Sequence, residues 1–98
     1  MDEELSFAVV TWTGWGRASF PARDDDLLTA TFGFARAIDL LPQVHELEED
    51  FFRSNAHITA PDLQSMGGQA ADEFRSAHPE VTEDAVQALA WCYTYDYK

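Results

Sequence analysis

The sequence predicts an α+β domain, mostly helical, with a short N-terminal strand or β-hairpin packed on three to four helices. Three observations lead there. Residues 5–12 are dense in β-branched and aromatic side chains, as strands are. From Asp24 onward, apolar residues recur at helical spacing. Acidic or hydroxyl residues precede those stripes, where the free N–H groups of a helix need a cap.

In chain order, the strand is Leu5 to Trp12, where Phe7, Val9 and Thr11 alternate with Ala8, Val10 and Trp12. Thr13-Gly14 suits a two-residue turn, and Trp15 to Phe20 reads as the returning strand, weakened by Gly16. Such a hairpin is marginal alone in water, so helices must cover it. Asp24-Asp25-Asp26 then opens a helix, matching negative charge to the positive end of the dipole. Leu27, Thr31, Phe34, Ile38 and Leu41 form its stripe.

Pro42 removes a hydrogen-bond donor, so the helix kinks or ends near Leu41. Residues 43–53 are a second helix or a bent extension, with Val44, Leu47 and Phe51 inward and Glu46, Glu48, Glu49 and Asp50 on a solvated flank. Ser54 to Ile58 is a loop, and Thr59 caps a helix carrying Leu63, Met66, Ala70 and Phe74 on one face. Gly67-Gly68 inside it costs about 1–2 kcal/mol against Ala-Ala, which points either to a closely packed neighbour, the favoured reading, or to a break in the helix. After His78-Pro79, Thr82 caps the last helix, with Val86, Leu89, Ala90 and Tyr93 buried. Tyr93, Tyr95 and Tyr97 alternate as a strand would, yet Tyr93 and Tyr97 also share a helical face.

The 98 residues make a single domain, with residues 1–4 expected outside its folded part. Eighteen acids against six bases give a net charge of −12. Contacts to phosphate need clustered Lys and Arg; here Lys98 is the only lysine and the arginines are scattered, which argues against nucleic acid or an anionic membrane as partner. One cysteine, Cys92, fits a reducing compartment, and the acidic first residues lack a leader pattern, so a cytoplasmic location is expected.

No catalytic, cofactor or metal site is expected. His45 and Glu49 share a helical face, but the second histidine of a zinc-binding HExxH is missing. Cys92 sits in an apolar stretch without a nearby base, and no serine stands in a nucleophile elbow. Capping accounts for the three aspartates at 24–26 without a cation.

The function that charge and size favour is a small acidic protein-binding module, in one form an inhibitor of a basic partner, as immunity and antitoxin proteins are. Acids would steer the encounter with a basic surface. The candidate contact residues are Trp12, Trp15, Arg17, Arg23, Asp24 and Asp25, of types common at binding hot spots or beside them, with Glu46, Glu49 and Asp50 as an acidic flank. Two alternatives belong to other classes. One is a mimic of DNA, against which the interspersed arginines count. The other is a ligand-binding protein or enzyme with a pocket between hairpin and helices.

Overall fold

In the computed structural model, which describes residues 3–97, the N-terminal run is a helix. Six helices follow one another: α1 (Glu3–Thr13), α2 (Asp25–Phe32), α3 (Phe34–Phe52), α4 (Ala56–Thr59), α5 (Leu63–Ala77) and α6 (Glu83–Tyr97). Among the described residues there is no strand, so the expected α+β class is corrected to all-helical.

The reason is visible in which side chains are covered. Leu5, Ala8, Val9 and Trp12 are buried at the i, i+3, i+4, i+7 spacing of a helix face, whereas Phe7, which alternation would pair with Val9, is 55% exposed. Helix α1 packs against α6, α2 and α3, and burial on several sides outweighs the strand preference of its β-branched residues. The returning strand at 15–20 is likewise absent: Gly14, at φ 82°, ends α1 and starts an irregular connection to α2. Glu3 and Glu4, expected outside the fold, open α1, while Met1 and Asp2 lie outside the described residues.

Further boundaries also differ. Gly33, at φ 87°, breaks the helix begun at Asp25, and the break resets the helical phase. Leu28 on α2 and Ala37, Leu40, Val44, Leu47 and Phe51 on α3 are therefore buried, while Phe34 and Ile38 of the expected stripe stay outside. Helix α3 continues across position 42 rather than ending there. Pro42 has no N–H for the Ile38 carbonyl, but both residues are exposed, so water can satisfy that oxygen.

Part of the loop at 54–58 is the single turn α4, and the cap of α5 is Asp62 rather than Thr59, its Oδ1 accepting the Ser65 N–H at 2.7 Å. Residues 93–97 continue α6, with the Tyr93 and Tyr97 rings 4.9 Å apart. A Cβ at Gly67 would stand 2.9 Å from Thr94 Cγ2, so this glycine does let α5 and α6 approach closely.

The core is one cluster drawn from all six helices, centred on Val9, Leu28, Val44, Phe51, Ala56, Phe74, Leu89 and Tyr93. Two hydroxyls of α1 are used within it. Ser6 Oγ accepts the Thr82 N–H at 2.9 Å ahead of α6, and Thr13 Oγ1 donates to the Val10 carbonyl at 3.1 Å. Thr11 Oγ1 is buried with no hydrogen-bond partner among the described residues. Among the described residues, no helix is long and apolar enough to cross a membrane.

Candidate functional site

The connection from α1 to α2 is stitched back onto α1. The Ala22 N–H donates to the Thr13 carbonyl and the Asp24 N–H to the Trp12 carbonyl, each at 2.9 Å. Between them Arg23 takes φ 48°, a left-handed conformation costly for a residue with a Cβ. Its side chain compensates. Arg23 Nε donates to Glu48 Oε2 and Nη2 to Asp96 Oδ2, each at 2.7 Å, while the guanidinium lies 5.9 Å from the Phe52 ring centre. Burial works against its charge, but the bonds to Glu48 and Asp96 outweigh that and hold its proton more firmly than usual. Arg23 thus ties the connection to both α3 and α6.

The aspartates beside it are also partly engaged. Asp24 Oδ1 accepts the Leu27 N–H at 3.0 Å and caps α2. Asp25 Oδ1 accepts from Trp12 Nε1 at 2.7 Å and lies 3.5 Å from His45 Nε2, whose ring packs 5.2 Å from the Trp12 indole. His45 therefore bridges the start of α2 to the middle of α3. Glu49 follows one turn later, and Glu46 lies three residues before it on the same outer face. Both glutamates are exposed and accept no hydrogen bond or ion pair among the described residues.

The candidate residues thus divide. Asp25 meets His45 of α3 one turn before Glu49, while Glu46 lies on the other flank, lining a groove with Asp50, His78 and Glu80. Trp12 is 3% exposed, so it belongs to the core rather than to a surface. Arg23 is consumed by its two carboxylates. Asp50 shares that groove with Glu46; Arg53 Nη1 bonds its Oδ1 at 2.9 Å and His78 Nε2 lies 3.1 Å from its Oδ2. Trp15 is half-buried on another side again, in a groove of about 280 Å³ with Gly67, Gly68 and Trp91. Arg17 is exposed in the turn after α1, with no ion pair among the described residues.

The pocket expected between hairpin and helices has no hairpin to form it. A cleft of about 300 Å³ opens instead between the end of α3 and α5, lined by Asp50, Arg53, Ser54, Glu73, Phe74 and His78, among others. Of these only Asp50 was a sequence candidate. In the sequence Ser54 belongs to a loop and Glu73 to a helix face without a motif, and only the approach of α3 to α5 joins them.

Burial pushes the Cys92 thiol up to about 12, so it remains protonated near neutrality. No cluster of His, Cys, Asp and Glu among the described residues is arranged to hold a metal ion. No family model, curated protein or solved structure matches the chain.

Proposed function

We propose that this chain is an acidic protein-binding module whose outer α3 face, carrying Glu46 and Glu49, receives a basic protein, in one form by occluding that protein's basic active site. The observation that carries the reading is how the carboxylates are used. Arg23, Arg36, Arg53 and Arg75 are each tied to carboxylates of the same chain: Glu48 and Asp96, Glu4 and Asp39, Asp50, and Asp72 and Glu83 respectively. Glu46 and Glu49 are left over in mid-helix, where they neither cap α3 nor pair, so their charge is available to another molecule.

Helix α3 adds an apolar component. Phe34 and Ile38, 74% and 56% exposed, lie on its N-terminal half, and Phe7 of α1 is exposed against Phe32 with ring centres 5.6 Å apart. Buried apolar anchors beside a charged rim are what a specific interface uses, the anchors for affinity and the charges for encounter.

Capture of proteins from nuclease-treated native extract on the immobilised chain, washed at low and then high salt, tests this. One basic protein held at low salt and released at high salt is the expected result. Retention of no specific protein at either salt would refute the module.

A further inference from the structure

We infer that the cleft between α3 and α5 receives one arginine side chain of the basic partner, an inference that rests on the protein-binding reading above. Three features of the cleft select a guanidinium.

The first is a fixed carboxylate with acceptor capacity to spare. Ser54, 8% exposed, has its Oγ pinned by the Ala56 N–H at 3.1 Å, which aims the hydroxyl proton at Glu73 Oε2, 2.7 Å away. Glu73 Oε1 accepts nothing among the described residues. A carboxylate held in place before binding loses little freedom when a cation arrives.

The second is an aromatic floor. The Phe74 ring, 4% exposed, lines the cleft beside the half-buried His78 ring at 4.6 Å, with the covered Phe51 ring 5.1 Å behind it. A planar, weakly hydrated guanidinium lies well against such rings and pairs edge-on with a carboxylate, whereas an ammonium does neither as well.

The third is a guanidinium already seated at the mouth. Arg53, with its side chain 77% exposed, bonds Asp50 on the α3 wall. The groups facing an incoming cation are thus Asp50, Glu73 and, beyond His78, Glu80, against Arg53 and His78. Arg53 is exposed enough to swing aside, leaving carboxylates on both walls.

The test is an NMR titration of the isotope-labelled chain at about 0.15 M salt with the blocked single residue N-acetyl-arginine-N-methylamide, beside its citrulline and lysine counterparts. Saturable shifts centred on Ser54, Phe74 and His78 are expected with the arginine probe alone. They should weaken about tenfold in Glu73→Gln and persist in Asp84→Asn, which removes an acid elsewhere. Glu73 is exposed, so the variant keeps its fold, checked by its unchanged thermal transition. Equal shifts with citrulline or lysine, or none in the cleft, would overturn the site even if a basic partner is captured. Arginine binding in the cleft with no protein partner captured would leave the site standing and overturn the module.

Discussion

The two sides of α3 put the same residue type to opposite uses. Toward the α1–α2 connection, Glu48 is largely covered and bonded to Arg23, which also holds Asp96 of α6. On the outer side Glu49, its neighbour in sequence, and Glu46 one turn away are exposed and bonded to nothing described. The inner acids fasten elements together, and their charge is neutralised where it stands. The outer ones do nothing for the fold that the structure reveals. In a chain of net charge −12 such leftovers cost stability through mutual repulsion, and recognition of a basic partner is a use that offsets that cost.

Perturbing the inner side should cost the most. Trp12→Ala empties a core site and releases Asp25, with an expected loss of about 3–5 kcal/mol in urea unfolding. Arg23→Met leaves Glu48 and Asp96 facing each other without a cation, and about 2 kcal/mol of stability, on the order of 10 °C in Tm, should go with it. A loss comparable to a random surface change would show that Arg23 does not fasten the connection.

The inner side also holds the reverse case, a polar group with no use. Thr11→Val keeps the shape of the side chain and removes an unpaired buried hydroxyl, so a gain of about 1 kcal/mol is expected by the same unfolding measurement. The exposed pair Arg75–Glu83 should matter least. The bonds from Arg75, then Gln87, hold the Glu83 carboxyl down at about 2. Its contribution is therefore complete above its ordinary value and fades as pH falls from there toward 2. Solvent screening keeps it under about 1 kcal/mol. The Tm difference between wild type and Glu83→Gln should shrink between about pH 5 and about pH 3.

From Asp24 onward, much of the helical content was legible because apolar spacing and caps agree there. Val44, Leu47 and Phe51 are buried as their spacing requires, and so are Met66, Ala70 and Phe74. The N-terminal run misled because Val9, Val10 and Thr11 favour strands locally, whereas contact with three other helices decides their conformation. The break at Gly33 was hidden for a different reason. One left-handed residue shifts the phase of everything after it, and the stripe through Phe34 and Ile38 looked continuous across it. At the candidate site, the acids could be counted but not sorted. Arg23 finds Glu48 and Asp96 across 25 and 73 residues of chain, and no local pattern records that.

The claim that the outer acids serve recognition is tested most directly by capture with two immobilised proteins side by side, the wild-type chain and Glu46→Gln/Glu49→Gln. Both substitutions are on exposed side chains, so Tm should move by less than about 0.5 kcal/mol equivalent. The expected result is a basic protein held at low salt by the wild type and largely lost from the variant. Equal retention of that protein by both chains would contradict the account and place the contact surface elsewhere.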